Sequence, residues 1–95
     1  MERHEYMEKI KNQLTEYNAK LSQLRSAALQ AQTDMRREYL SQVKILESKR
    51  DKLREMYGHL KETSASTWED AKEATEKAFT DFKEAFDKVI KHFKF

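Results

Sequence analysis

Three histidines are the residues of this sequence best suited to bind a metal ion, and they lie far apart in the chain. His4 is followed by Glu8, and Glu55 by His59, so each pair stands one helical turn apart and offers two ligands. A di-metal site in a ferritin-type bundle requires Glu-x-x-His repeats, and the sequence contains none. We therefore interpret the histidines, His92 included, as surface residues and expect neither a metal ion nor another cofactor.

The residues that usually perform covalent catalysis are missing or otherwise explained. The sequence has no cysteine to act as a nucleophile and no glycine-rich loop to hold a phosphate group. Its hydroxyl residues cluster at 63–67, where helix capping accounts for them. We predict a protein that is not an enzyme and has no catalytic residues.

Basic residues are concentrated in the middle of the chain. Residues 36–54 contain seven basic and three acidic residues, although the whole chain has 19 basic and 17 acidic residues and a net charge of +2. Since the overall charge is nearly balanced, we interpret this segment as a solvated helix flank. A nucleic acid is not expected as a partner. A chaperone-like or nucleic-acid-associated role is a disfavoured third alternative.

The composition predicts one all-α folding unit over residues 1–95. Proline is absent, glycine occurs once, and hydrophobic and charged residues each make up 38% of the chain, so both strong helix breakers are nearly excluded. No apolar run approaches the length of a membrane span, and the first residues lead into no apolar segment. Together with the absence of cysteine, this leads us to expect a cytoplasmic protein.

A heptad repeat over residues 7–35 is the strongest pattern in the sequence. Apolar residues recur there at alternating steps of three and four, which is typical of a coiled-coil seam. We predict that these residues form a seam between chains: Met7, Ile10, Leu14, Tyr17, Leu21, Leu24, Ala28, Ala31 and Met35.

A run of short hydroxyl residues at 63–67 predicts a turn, followed by a second helix over about 68–94. Ser66 and Glu69 have the S-x-x-E spacing of a capping box at the start of a helix. The second helix carries an apolar stripe on one face. Its predicted core residues are Trp68, Phe79, Phe82, Phe86, Val89, Ile90 and Phe93.

The predicted helix lengths favour a dimer. An uninterrupted first helix over about 4–62 would be roughly 90 Å long, and the second helix covers fewer than half of its turns. If the second helix folds back as a hairpin along residues 35–62, the N-terminal heptads lack a partner in their own chain. We therefore predict an antiparallel homodimer in which each half is a three-helix bundle. A parallel dimer or a tetramer satisfies the same seams.

A second architecture breaks the first helix near Thr33 and Asp34. It gives a monomeric three-helix bundle with about 30 residues in each helix. Helix–helix loops usually contain glycine, proline or a capping residue. Residues 30–34 read Gln-Ala-Gln-Thr-Asp, which is a poor turn sequence, so the single long helix is preferred.

The aromatic second helix also fits a membrane surface. One of its faces is apolar and the other charged, as in helices that lie in the bilayer interface. However, residues 68–95 contain six lysines and seven acidic residues, so anionic lipid attracts the segment little. The core of a bundle is the preferred interpretation, and peripheral membrane or lipid binding is the alternative function.

Three segments carry a resemblance to a known group of proteins. They are Lys49-Arg50-Asp51-Lys52-Leu53, Trp68-Glu69-Asp70-Ala71-Lys72, and Ala78-Phe79 with Phe82-Lys83-Glu84-Ala85-Phe86. With them the chain resembles, over about residues 30–93, small bacterial coiled-coil proteins of undefined role, some of them stress-induced. The resemblance implies a cytoplasmic, non-enzymatic protein linked to stress, and it assigns no site residues. Our leading hypothesis is a homo-oligomeric helical scaffold that interacts with itself.

Overall fold

The computed structural model describes residues 3–93, and this part of the chain folds into three α-helices. They are α1 (Arg3–Leu29), α2 (Thr33–Glu62) and α3 (Trp68–Phe93). Within residues 3–93 no β-strand occurs. The predicted all-α class is therefore confirmed, and the helices form a bundle.

The three helices run up, down and up. Both α1 and α3 pack along α2, so α1 and α3 run in the same direction on either side of it. The bundle measures 51 × 19 × 18 Å, and its radius of gyration is 15.3 Å. These dimensions correspond to one helix length by two helix diameters.

The prediction of an uninterrupted helix over 4–62 is wrong, because the chain turns at residues 30–32. The amide of Gln30 donates to the carbonyls of Ser26 and Ala27, which tightens and ends α1. Gln32 then has φ −58° and ψ 149°, an extended conformation that reverses the chain. The turn costs a few backbone hydrogen bonds at about 1 kcal/mol each. Burial of the apolar face of α1 contributes about 1.5–3 kcal/mol per large side chain and outweighs that cost.

The break lies close to Thr33 and Asp34, where the alternative prediction of a monomeric three-helix bundle places it. The N-terminal heptads, which the dimer prediction leaves without a partner in their own chain, pack in the core of that chain. Leu21 and Ala28, for example, are buried within a single chain at 1% and 0% exposure. The pairing of two chains therefore stays a proposal.

The second break separates α2 from α3 at residues 63–67, the interval that the hydroxyl run indicates. Thr63 ends α2 with φ −74° and ψ 135°, and its amide donates to the carbonyl of Leu60. Its hydroxyl donates to the carbonyl of His59 at 2.8 Å, so an orphan carbonyl of the last turn is satisfied. Of the predicted helix over 68–94, residue 94 lies outside the described residues.

The core runs the length of the bundle and draws on all three helices. Its buried apolar residues are Tyr6, Ile10, Leu14, Leu21, Leu24, Ala28, Tyr39, Val43, Leu46, Leu53, Leu60, Phe79, Phe82, Phe86, Val89 and Phe93. None of the helices in residues 3–93 is long and apolar enough to cross a bilayer.

Candidate functional site

The heptad residues of α1 form most of its inward face. Ile10, Leu14, Leu21, Leu24 and Ala28 are buried at 8% exposure or less. Met7, Tyr17 and Ala31 are partly buried against the same core. Met35, the last member of the predicted seam, is 42% exposed at the start of α2. The structure therefore brings eight of these nine residues to one core and leaves Met35 at the surface.

Tyr17 is the centre of an aromatic cluster between α1 and α3. Its ring meets the rings of Phe79, Phe82 and Phe86 at centroid distances of 6.1, 5.1 and 5.4 Å, each edge to face. Edge-to-face pairs at these distances are favourable beyond their buried area. The cluster joins the two helices that run in parallel.

The aromatic residues predicted for the core of α3 point into the bundle. Phe79, Phe82, Phe86, Val89 and Phe93 are buried, and Trp68 and Ile90 are half-buried at its two ends. The Phe93 ring stacks on Tyr39 of α2 with centroids 3.9 Å apart. Most of the apolar stripe of α3 is thus covered by α1 and α2.

Arg3 closes the end of the bundle where α2 finishes. Its guanidinium donates to the carbonyls of Leu60 at 2.9 Å and Thr63 at 2.7 Å, and it lies 4.6 Å from the ring centroid of Trp68. A cation at a helix C-terminus binds orphan carbonyls and complements the helix dipole. No local pattern in the sequence indicates this role, because it depends on two hydrogen bonds that span 57 and 60 residues.

Tyr6 lies beside this cap and is 2% exposed. Its ring meets Trp68 edge to face, with centroids 5.7 Å apart. Burial, followed by the negative charge of Glu76, raises the pKa of Tyr6 to about 12. The Tyr6 hydroxyl has no hydrogen-bond partner among residues 3–93. Its spacing of four from Ile10 was the signal in the sequence that could have placed it in the core.

The helix α3 begins one residue later than the predicted capping box at Ser66 and Glu69 places it. The amide of Ala71 donates to the carbonyl of Thr67, so Thr67 precedes the first turn of α3. The Ser64 hydroxyl lies within hydrogen-bond distance of the hydroxyls of Ser66 and Thr67, at 3.1 Å from each. Short hydroxyl side chains bond readily within a turn, and the Ser66 hydroxyl bonds in this way to Ser64.

An open groove of about 380 Å³ between α1 and α2 is lined mainly by basic residues. Arg25, Arg37 and Lys44 surround it, with Ser41 and Leu40. Arg25 is paired with Glu47 of α2 at 2.9 Å. The groove is the structural counterpart of the basic segment of the sequence.

A second groove, of about 490 Å³, lies between α1 and α3 and is mainly apolar. Leu24 and Ala27 contribute from α1, and Phe86 and Ile90 from α3, with Lys20, Gln23 and Asp87 also lining the groove. The groove exists because α1 and α3 meet through long side chains while each packs closely on α2. Part of the apolar stripe of α3 is therefore accessible from outside.

The histidines are distributed along the bundle. His92 lies 3.0 Å from a carboxylate oxygen of Glu38, which connects α3 to α2. His4 lines a shallow groove with Arg3, Met7 and Lys61. No three potential metal ligands lie together within the part of the chain that the structure describes.

Large apolar side chains are exposed on both sides of the turn at residues 30–32. Leu29 and Met35, at 49% and 42% exposure, flank it on either side. Ile45, at 48%, is the third large apolar residue exposed in residues 3–93. Two of the three thus lie at one end of the bundle, which makes this end a candidate interaction surface.

No protein-family model matches this chain, and no curated protein and no solved structure matches it either. The likeness to small bacterial coiled-coil proteins therefore stays an expectation from the sequence. The surfaces described above, with the contacts that build them, are the basis for a functional proposal.

Proposed function

We propose that the chain is a non-enzymatic helical interaction protein that associates with itself, and that its working unit is an antiparallel homodimer. The observation that carries this proposal is the pair of exposed apolar residues, Leu29 and Met35, at the α1–α2 end of the bundle. Exposed apolar surface concentrated in one place is typical of interaction sites.

The polar groups of the bundle support a structural role for its hydroxyl residues. The Thr63 hydroxyl donates to the carbonyl of His59, and the Thr75 hydroxyl to that of Ala71. In the second turn the Ser64 hydroxyl bonds to those of Ser66 and Thr67. These hydroxyl groups are hydrogen-bonded within helices and turns. Their structural use supports the proposal of a scaffold and not a catalyst.

Sedimentation velocity of the purified protein between 1 and 500 μM, chosen as roughly the range in which weak homodimers form, tests self-association. We expect the mass to rise from that of one chain, 11.4 kDa, to that of two. A mass that stays at one chain throughout this range would contradict the proposal.

The cellular role that we propose is a cytoplasmic scaffold that accumulates under stress, and it rests on the resemblance of the sequence alone. Immunoblots of the native cell before and after heat and osmotic shock test it. An unchanged level of the protein under both conditions would remove the link to stress.

Membrane binding through α3 is the second candidate, and the apolar groove between α1 and α3 is the observation that favours it. Phe86 and Ile90 line that groove, so an acyl chain can reach the aromatic face of α3 without complete opening of the bundle. Flotation with vesicles of phosphatidylcholine and phosphatidylglycerol tests it. We expect the wild-type protein to float with the vesicles and Ile90→Ser not to float. Ile45→Ser, on the exposed face of α2, is the control and should float like the wild type. Wild-type protein that stays at the bottom of the gradient excludes this candidate.

A further inference from the structure

The turn between α1 and α2 is weakly specified for a chain reversal. It consists of Gln30, Ala31 and Gln32, and none of these has the left-handed or fixed backbone preference of glycine or proline. Gln32 occupies the N-cap of α2, but its side chain makes no capping hydrogen bond. The last turn of α1 has no basic residue. The Arg36 guanidinium of α2 donates to the carbonyl of Ala31 at 3.2 Å, but this bond is exposed and lies outside the capping positions of both helices.

The same residues are well suited to a continuous helix. Alanine and glutamine have high helix propensity, and the heptad pattern runs without interruption through Ala28, Ala31 and Met35. Extending the helix through residues 30–32 restores the backbone hydrogen bonds that the turn gives up. The local sequence thus favours an open form, in which α1 and α2 are one continuous helix. The packing of α1 against α2 and α3 favours the closed form, which is the three-helix bundle described above.

The packing of α1 does not depend on the turn. Tyr17 contacts Phe79, Phe82 and Phe86, and Arg3 binds carbonyls at the end of α2. All of these contacts join α1 to parts of the chain beyond residue 59. An α1 helix from a second copy can make each of them in the same geometry.

We propose that two copies of this chain exchange their α1 helices by opening the turn at residues 30–32. In the exchanged dimer, α1 and α2 of each chain form one continuous helix, and the two long helices run antiparallel and cross at the former turn. Each end of the dimer is the three-helix bundle described above, with α1 supplied by the partner. Exposed Leu29 and Met35 lie at the crossing and become covered. The inference rests on the proposed self-association and names the structure of the dimer.

Thr33 offers a substitution that separates the two forms. It is the first residue of α2, a position at which proline is favoured because the amide there has no helical carbonyl to bond. The preceding residue, Gln32, already has the extended ψ of 149° that a following proline requires. In the exchanged dimer residue 33 lies inside a helix, where proline costs roughly 3 kcal/mol, equivalent to about a 100-fold change. Thr33→Pro is therefore compatible with the closed bundle and destabilises the continuous helix of the exchanged dimer.

The first experiment compares the dimer dissociation constants of the wild type, Thr33→Pro and Thr33→Ala by sedimentation. Thr33→Ala is the matched control, because alanine suits both forms. We expect Thr33→Pro to raise the dissociation constant at least about 100-fold and Thr33→Ala to leave it within a few-fold. Circular dichroism verifies that both variants remain helical. An undiminished dimer of folded Thr33→Pro would overturn the exchange.

The second experiment measures one distance within a chain by electron spin resonance. Ser22→Cys and Ser48→Cys place two spin labels at exposed positions of a chain that has no cysteine of its own. In the bundle these residues lie close to the Arg25–Glu47 ion pair, so the labels are about 20 Å apart or less on adjacent helices. In a continuous helix they are 26 residues apart, or about 39 Å. Dilution with excess unlabelled chain leaves only the distance within one chain.

The outcomes distinguish the inference from the proposed function. A dimer fraction with the long distance supports both the exchange and self-association. A dimer with only the short distance overturns the exchange and leaves self-association intact. A protein that remains monomeric at every concentration overturns both.

Discussion

The ring of Tyr17 in α1 meets the ring of Phe82 in α3 edge to face, with centroids 5.1 Å apart and ring planes at 86°. Along the chain, 38 residues lie between the end of α1 at Leu29 and the start of α3 at Trp68, and they include the whole of α2. The contact of these two rings helps to close the third side of the bundle, where Tyr6 of α1 also meets Trp68 of α3. Tyr17, which meets three phenylalanine rings of α3, therefore helps to hold α1 against α3.

Replacement of Tyr17 by alanine tests this role. The substitution removes the contacts with three phenylalanine rings, and Tyr17 is partly buried. We expect the free energy of unfolding to fall by about 2–3 kcal/mol, somewhat less than for a fully buried aromatic residue. Urea unfolding followed by circular dichroism measures it. Thr15→Ala, at an exposed site of the same helix, is the control and should change stability by less than about 0.5 kcal/mol.

Arg3 provides the second prediction. Arg3→Gln removes a charged donor from the carbonyls of Leu60 and Thr63, and we expect a loss of about 1–2 kcal/mol in the free energy of unfolding. The control is Lys9→Gln, which removes a positive charge from an exposed site of α1. Equal stabilities of the two variants would show that charge alone, and not the cap, matters at residue 3.

The buried Tyr6 hydroxyl provides a prediction with a defined pH dependence. Because this hydroxyl has no partner among residues 3–93, Tyr6→Phe should raise the free energy of unfolding by about 1 kcal/mol near neutral pH. The folded-state pKa of Tyr6 is raised from 10.0 to about 12, so folding favours the protonated form. The stability that this provides is complete below pH 10 and is lost as the pH rises through 12.

The advantage of Tyr6→Phe over the wild type should therefore widen between pH 10 and 12, since phenylalanine cannot ionise. Chemical unfolding of both proteins at pH 8, 10 and 11.5 measures this difference. A difference that stays constant across the three values would contradict the assigned burial of the hydroxyl.

The exposed residues at the turn provide a prediction about the dimer. Leu29→Ser and Met35→Ser remove apolar surface that the exchanged dimer covers, and burial of such side chains contributes about 1.5–3 kcal/mol each. We expect each variant to weaken the dimer by about tenfold or more while the stability of the closed bundle changes by less than about 0.5 kcal/mol. Ile45→Ser is the control, because Ile45 is similarly exposed at 48% but lies away from the turn. Equal weakening by all three substitutions would indicate a general effect of surface hydrophobicity.

The heptad and the aromatic stripe could be read from the sequence because each is a local periodic pattern. Leu21, Leu24, Phe79 and Phe82 are spaced at helical intervals, and the structure buries all four. The contacts of Arg3 and Tyr6 with Trp68 could not be predicted in this way. They join residues more than 60 positions apart, and a periodic pattern contains no information about which helix lies opposite.

By itself, the sequence determined that the chain is helical, which face of each helix is apolar, and that the hydroxyl run at 63–67 interrupts the helix. These properties follow from backbone propensity and side-chain spacing, which act over a few residues. Only the tertiary structure decided that the chain also turns at residues 30–32. The local preference of Gln30, Ala31 and Gln32 is for a helix, and it is overcome by the burial of α1 against α2 and α3, a gain that exists only when all three helices are together.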